Sequence, residues 1–234
     1  MILSAFKDSL RSPDRETCGI FAWNDKYHFD PKFIPLNNFN SCDPYSFLVN
    51  DSIFYKLYLN KKIISLYHSH INCGPELSLL DKEVSSTLAL PSFVFSTQTK
   101  DTCLFYPTSY NPPILENRLF IPYLQDCITF VKDFFKLELN IDLCETITNW
   151  SRRKKSSNNT LIKVIESYFN EVNIFSVQNN DLLVFSPTVS ELYHVGVYVE
   201  GGYVFHHSFN GLPRKELFSS SIMNKVYKVY RYKV

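Results

Sequence analysis

Two histidines, a serine and an aspartate form the first group of residues in this 234-residue chain that could hold a metal ion. His68 and His70 flank Ser69, seven residues separate His70 from Ser78, and two more separate Ser78 from Asp81. Catalytic zinc commonly takes three nitrogen or oxygen ligands and keeps a fourth position for water, whereas structural zinc is usually closed by four protein ligands. The spacing therefore predicts a catalytic zinc site with His68, His70 and Asp81 as ligands.

A cysteine and two histidines in the second half could form a nucleophilic site. Cys127 follows Asp126 at the start of a run with helical apolar spacing, and a helix N-terminus lowers the pKa of a thiol. The base would be a histidine that is distant in sequence, close in space and oriented by a third polar group. His194 opens one candidate strand and His206 ends the next, so the turn at 200–202 would bring the two rings together.

Alternative interpretations exist for each group. The first group could be two surface histidines followed by a serine and an aspartate that cap a helix. Cys127 could be a small buried apolar residue, and His194 a histidine of the core. His207 also competes with His206, because neighbouring strand residues point to opposite faces and only one of the two can orient His194. Five of the six histidines lie in or beside the two groups, which favours function.

Apolar periodicity and capping residues predict the elements that position both groups. The run 63–67 predicts a strand that ends at the first histidine pair, and 78–90 predicts a helix capped by Ser78. Asp126 is the predicted N-cap of a helix over 128–135. Further strands are predicted at 93–95, 181–185, 194–199 and 203–205, and a further helix at 161–169.

A segment rich in proline, 107–113, predicts a linker between two domains at 1–106 and 114–234. The second domain begins with a helix and continues as strands separated by turns, which predicts an α+β fold. A chain in which 45% of the residues are hydrophobic can bury one large core or two modest ones. The basic run 152–155 is followed by serine and asparagine, which indicates a solvated loop.

Composition excludes several classes of function. A net charge of +1 and a pI near 7.6 predict no nucleic-acid partner. No apolar run approaches the length of a bilayer and no secretory signal is recognisable, so we expect no membrane-spanning segment and synthesis in the cytoplasm. The six cysteines include no C-x-x-C pair, and in a chain this long we expect them to be reduced.

The first group resembles the pattern of the JAMM metallopeptidases, in which an upstream glutamate is joined to His-x-His, seven residues and Ser-x-x-Asp. Glu16, in the sequence Glu-Thr-Cys-Gly, stands where that family has its catalytic glutamate. The resemblance implies an MPN-like mixed-sheet domain that binds Zn²⁺ and uses Glu16 as general base and Ser78 as donor to the oxyanion. Ile71 departs from the pattern, because many relatives have proline after the second histidine, and this puts the geometry of that loop in doubt.

The second group resembles the NlpC-type papain-like peptidases, which cleave peptide bonds in bacterial cell wall. The resemblance rests on Asp126-Cys127 and on the runs 181–185, 194–198 and 204–207. It implies that Cys127 is the nucleophile, His194 the base and His206 the orienting residue. Asn180 stands where relatives often have Pro-Gly, a change that we expect to alter only a turn.

The order of the two modules in one short chain resembles the tail assembly protein family of long-tailed phages, the lambda K group. That resemblance implies synthesis in the host cytoplasm, a place at the virion tail tip, the tail-tip hub and other tail proteins as partners, and peptidoglycan as substrate. The protein would act in tail assembly or in opening the cell wall. One alternative is a structural plug or hub-binding protein with idle sites. Another, a cellular isopeptidase that acts like a deubiquitinase, would explain only the first half.

Overall fold

The chain folds into two compact units. The computed structural model describes residues 1–23, 31–40, 42–116, 118–143, 146–148, 158–185, 194–209 and 211–234. The first unit contains the chain up to Asn111 together with the short strand Thr146–Thr148, and the second unit begins at Pro112. The division falls within the segment 107–113 that is predicted as a linker, while a strand from the range 114–234 joins the first unit.

The first unit is built on a mixed sheet. Its described strands are β1 Cys18–Trp23, β2 Pro31–Leu36, β3 Ile63–His70, β4 Ser92–Ser96, β5 Thr102–Phe105 and β6 Thr146–Thr148, and its described helices are α1 Ile2–Arg11, α2 Ser52–Leu59 and α3 Leu79–Leu88. The strand order is β2-β1-β3-β4-β5-β6. Only β3 and β4 among these described neighbours run parallel, so α3 is the crossover that parallel strands require.

Alternation along β1 supplies both faces of this sheet with apolar side chains. Ile20 packs with Leu57 of α2 on one face. Phe21 makes edge contacts with the rings of Tyr67 and Phe93 on the other face. Helix α1 covers that aromatic face, with Phe6 stacked on Phe95 at a centroid distance of 4.2 Å. Helices α1 and α2 therefore cover opposite faces of the sheet that contains β3, the strand that carries His68 and His70.

The second unit is built on an antiparallel sheet. Its described helices are α4 Cys127–Leu139, α5 Asn158–Tyr168 and α6 Ser220–Met223, and its described strands are β7 Phe169–Val172, β8 Leu182–Phe185, β9 His194–Val199, β10 Tyr203–His207, β11 Pro213–Leu217 and β12 Val226–Tyr232. The strand order is β11-β10-β9-β8-β12-β7. The presence of helices together with one mixed and one antiparallel sheet confirms the α+β class.

Helix α4 forms the core of this unit by packing against β9 and β10. The rings of Phe130 and Phe205 meet edge to face with centroids 4.8 Å apart. One turn further along, Phe135 contacts Phe169 and Tyr232. This packing holds the N-terminal end of α4 in a fixed position relative to the two strands that carry histidines.

Two predicted helices end earlier than their apolar patterns indicate. The first helix stops at Leu88 because Ala89 adopts a left-handed conformation with φ 52°. The helix predicted over 161–169 ends at Tyr168, because Phe169 already begins β7. Asn180 also has a positive φ, 69°, which asparagine tolerates better than most residues, so the departure from Pro-Gly leaves a turn in place.

Composition predicts reduced cysteines and no membrane-spanning segment, and the described residues bear on both predictions. No disulfide bond joins the described cysteines, Cys18, Cys42, Cys73, Cys103 and Cys127. Cys144 lies outside the described residues, as does the basic run 152–155. Within the ranges that the structure describes, no helix has both the length and the apolar character needed to cross a bilayer.

Replacing Phe135 tests the core of the second unit. The side chain is fully buried, so Phe135→Ala should lower the free energy of unfolding of this unit by about 3–5 kcal/mol through lost contacts and a cavity. Phe175→Ala is the control, because Phe175 is 86% exposed and should change the free energy by less than about 0.5 kcal/mol. Hydrogen exchange of the amides of β8 and β9 measures both. Equal protection in the two variants would contradict this packing.

Candidate functional site

The end of β3 places two imidazoles side by side. Residues two apart on a strand point to the same face, so His68 and His70 project together. Their Nε2 atoms lie 3.1 Å apart. The ring of His68 is buried and lies 4.9 Å from the ring of Phe47, centroid to centroid. His70 Nδ1 lies 3.0 Å from the carbonyl oxygen of Gly74. Because a carbonyl only accepts, His70 carries its proton on Nδ1 and offers a lone pair on Nε2.

The start of α3 brings a carboxylate to these rings. Ser78 is the N-cap, and its hydroxyl accepts a hydrogen bond from the backbone N–H of Asp81 at 3.2 Å. The Asp81 carboxylate accepts in return from the backbone N–H and the hydroxyl of Ser78, at 2.8 and 2.6 Å. This capping box satisfies the first turn of the helix and fixes the carboxylate. Asp81 Oδ1 lies 3.4 Å from His68 Nε2, and Oδ2 lies 3.7 Å from His70 Nε2.

These three residues fit a zinc ion. A tetrahedral zinc ion with bonds of about 2.1 Å holds its ligand atoms about 3.4 Å apart. The observed separations of 3.1, 3.4 and 3.7 Å lie around that value. Among the described residues, His68, His70 and Asp81 are also the group whose ligand atoms all lie within 4.8 Å of one another.

Electrostatics keep His68 neutral and Asp81 ionised, the forms of these side chains that bind metal. Burial lowers the pKa of His68, against the opposing effect of Asp81. Burial acts to lower the pKa of His70 as well, but Asp81 and the Gly74 carbonyl raise it overall. Burial acts to raise the pKa of Asp81, yet hydrogen bonds with the two histidines and Ser78 hold it well below its ordinary value. The carboxylate is therefore ionised, as a ligand must be.

Glu16 lies beside this site at the entry to β1. Its backbone N–H donates to the Pro44 carbonyl at 2.9 Å, and its own carbonyl accepts from the Asn38 amide at 3.1 Å. The side chain is buried, and burial raises the pKa of its carboxyl to about 8, against the opposing charge of His70. A carboxyl group with a pKa near neutrality can both accept and release a proton.

A network of hydroxyl groups lies behind this site, and the sequence patterns do not indicate it. The Ser9 hydroxyl lies 2.6 Å from that of Thr17 and 2.7 Å from that of Tyr67. The Thr17 N–H donates to the Ser69 hydroxyl at 2.9 Å. The network therefore links α1 to the residue after Glu16 and to the residue between the two histidines. Isolated serines and threonines carry no pattern, so only the fold reveals this connection.

The start of α4 presents Cys127 as predicted. Asp126 is the N-cap, and its carboxylate accepts from the backbone N–H groups of Ile128 and Thr129 at 3.1 and 3.2 Å. The Thr129 hydroxyl accepts in turn from the N–H of Asp126 at 2.8 Å. Cys127 is partly buried and packs against the core of the second unit. The thiol therefore lies in the first turn of a well-capped helix, which packs on the strands that carry the histidines.

The hairpin of β9 and β10 brings His194 and His206 together. Both glycines of its turn have positive φ, 81° and 78°, which suits a tight three-residue connection over 200–202. The turn places His206 opposite Gly196, where a side chain would crowd the Cβ of His206 at 2.9 Å. His194 Nε2 and His206 Nδ1 are 2.7 Å apart, which is a hydrogen bond.

His207 points elsewhere. Its Nε2 donates to the carbonyl of Gly211 at 3.2 Å, and its ring makes edge contacts with those of Phe120 and Phe130. Strand alternation thus separates the two neighbours as predicted. The structure brings His206 to His194, and it does not bring His207 there. The catalytic roles of Cys127, His194 and His206 stay predictions.

Both rings of the hairpin pair are held neutral. Burial, together with a smaller effect of the neighbouring His206, lowers the pKa of His194 to about 3. Burial also lowers the pKa of His206, against the opposing charge of Glu216. A neutral imidazole accepts a proton, as a general base must.

Comparison with known proteins agrees with two of the three predicted resemblances. Residues 120–231 match the sequence model of the NlpC/P60 family. The chain is also similar to the tail tip assembly protein K of Escherichia phage N15, at 22% identity over 221 residues, which are 94% of this chain and 88% of the relative. The NlpC-type and tail assembly resemblances are therefore confirmed. The JAMM resemblance and its zinc site stay predictions.

His207 should make the second unit sensitive to acid. Burial lowers its pKa from 6.5 to about 4, so the unfolded state binds the proton more readily and the free energy of unfolding falls as pH drops below about 6.5. Between about pH 7 and about pH 5 this residue should account for a loss of about 2 kcal/mol. His207→Gln keeps a donor for Gly211 and removes the titration. Urea unfolding of both proteins at both pH values measures the difference, and an unchanged loss in the variant would contradict the assignment.

Proposed function

Because residues 120–231 form an NlpC/P60 domain in a chain similar to a phage tail tip assembly protein, we propose a phage tail-tip cysteine peptidase that hydrolyses peptide bonds of peptidoglycan. The family match supports an enzyme of the cysteine peptidase type. The hydrogen bond of 2.7 Å between His194 and His206 carries the proposal, because it orients a base on a strand against which the helix of Cys127 packs. In this proposal the second unit has the papain-like arrangement.

The proposed reaction uses Cys127 and His194 in turn. His194 Nε2 is engaged with His206, so Nδ1 is the nitrogen left to take the proton of the Cys127 thiol. The thiolate, favoured by the N-terminus of α4, attacks the carbonyl carbon of a peptide bond. The amine then leaves with the proton from His194, and water releases the acyl group from sulfur. His206 keeps the imidazole oriented throughout, as the third residue of a triad does.

The first unit, in this proposal, is a metallopeptidase module of the JAMM type. His68, His70 and Asp81 would hold Zn²⁺, which polarises a substrate carbonyl and acidifies water when bound. Glu16 would accept and return a proton. Ser78 would donate to the oxyanion, although in this structure its hydroxyl donates to Asp81. The partners would be the tail-tip hub and other tail proteins, and the location the tail tip of the virion after synthesis in host cytoplasm.

A structural plug or hub-binding protein with idle sites is the alternative. The name of the phage N15 relative, tail tip assembly protein K, describes assembly rather than hydrolysis and favours this alternative. Variants that lose only the nucleophile separate the two functions, because a structural role does not need a thiol.

Removing the nucleophile should abolish hydrolysis. Cys127→Ala should lower the release of stem peptides from purified peptidoglycan by about a thousandfold or more, as loss of a catalytic nucleophile does. Cys42→Ala is the matched control, because it removes an exposed thiol outside the NlpC/P60 range. Unchanged release by Cys127→Ala would exclude this nucleophile. Normal assembly and infection by phage that carry Cys127→Ala would leave the structural function.

Metal analysis tests the first unit. Purified protein should contain about one zinc ion per chain, and added zinc should raise its melting temperature, because ligand binding to the folded state stabilises it. His70→Ala should lose both effects, and His206→Ala should keep them, because His206 lies in the second unit. A wild-type chain that neither retains zinc nor gains stability from it would contradict the proposed ligands.

A further inference from the structure

A carboxylate stands behind His206, on the far side from His194. In the pairing of β10 with β11, His206 lies opposite Arg214, and Glu216 lies two residues further along β11. Residues two apart on a strand share a face, and diagonal neighbours are within reach of long side chains. Glu216 Oε1 lies 3.4 Å from His206 Nε2. The three side chains therefore form a row from His194 through His206 to Glu216.

The row determines which nitrogen carries each proton. An ionised carboxylate only accepts hydrogen bonds, so it favours the tautomer of His206 that is protonated on Nε2. In that tautomer His206 Nδ1 has a lone pair. His194 Nε2, which is 2.7 Å away, must then donate to it. His194 is left with its lone pair on Nδ1, the nitrogen that accepts the thiol proton in the proposed reaction.

The opposite tautomers would disable the base. If His206 carried its proton on Nδ1, it would donate to His194 Nε2. The neutral ring of His194 would then hold its proton on Nδ1 and could not accept another there. The hydrogen bond between the two rings allows both arrangements. A group outside the pair must therefore select one of them.

Arg214 and Ser208 act on the same row. Partial burial acts to raise the pKa of Glu216, but hydrogen bonds from Arg214 and His206 hold it below its ordinary value. Glu216 is therefore an ionised acceptor. The Ser208 hydroxyl lies 3.3 Å from His206 Nδ1, and as a donor it would favour the same tautomer. Arg214 is more than half exposed and contacts the carboxylate from its solvent side.

We propose that Glu216 is a positioning residue that fixes the tautomers of His206 and His194 and thereby leaves His194 Nδ1 free to act as the base. The inference rests on the proposed function of Cys127 and His194 for its catalytic consequence. Its structural content, the position of two protons, can be measured without any substrate.

Imidazole ¹⁵N chemical shifts test the proton positions. In wild-type protein labelled with ¹⁵N-histidine, both His206 and His194 should show a protonated Nε2 and an unprotonated Nδ1. In Glu216→Ala a second population with protonated Nδ1 should appear in both rings. Glu200→Ala is the matched control, because Glu200 lies in the turn of the same hairpin, exposed and outside the row. If Glu216→Ala keeps the wild-type tautomers, the proposal is wrong.

The rate of hydrolysis gives the second measurement. Glu216→Ala should lower kcat for peptide release by at least about tenfold with little change in KM, because the base spends time in the wrong tautomer. Glu216→Gln keeps an acceptor oxygen in the same place and should recover part of the loss in rate and in the ¹⁵N shifts. This variant also replaces Glu216→Ala if the alanine protein does not fold.

The outcomes separate the two proposals. Wild-type protein with the expected tautomers and no hydrolysis of peptidoglycan would refute the proposed function and leave the proton positions as inferred. Hydrolysis by the wild type that Glu216→Ala does not slow would refute the positioning role and leave the function.

Discussion

A neutral imidazole has one proton and two nitrogens, and both candidate sites depend on that constraint. Whatever accepts the proton at one nitrogen decides that the other offers a lone pair. In the first unit the Gly74 carbonyl takes the proton of His70 Nδ1, so Nε2 faces His68 and Asp81. In the second unit Nε2 of His194 faces His206, and Nε2 of His206 faces Glu216. An oxygen acceptor behind the ring is therefore as important to each site as the ring itself.

Both histidine groups lie on strands, where regular spacing can hold an imidazole beside the group that accepts its proton. A strand holds side chains two residues apart on one face, and a neighbouring strand brings a partner within about 5 Å. The first site uses the spacing within β3, and the second uses the pairing of β9 with β10. Helices supply the remaining groups from their N-terminal ends, where the capping residues Ser78 and Asp126 fix the first turn. Asp81 belongs to one of these turns and Cys127 to the other.

The sequence predicts those parts of the sites that depend on local spacing. The two N-caps and the strand that leads to His68 follow from local patterns, because they involve neighbours along the chain. Strand alternation shows that only one of His206 and His207 can face His194, and the choice of His206 comes from the NlpC-type resemblance. The contact of Ser9 with Tyr67 joins α1 to β3, and the contact of Glu216 with His206 joins β11 to β10. Only the complete fold determines these pairings. Strand β11 has charged residues at three of its five positions, so its apolar alternation is too weak to indicate it. The strand Thr146–Thr148 is the clearest example of a pairing that the sequence does not indicate, because it comes from the second half of the chain and completes the first sheet.

The two candidate sites nevertheless differ in how far their chemistry is specified. In the first, the candidate ligand atoms of three side chains lie at separations that would suit a zinc ion. The second lies in the range that matches the NlpC/P60 family, and its geometry depends on which nitrogen of each imidazole carries the proton. Similarity to the phage N15 relative covers 94% of this chain and therefore extends over both units. Buried histidines beside an ionised carboxylate cost stability unless a ligand offsets the desolvation, and in the proposed function a bound zinc ion would supply that compensation.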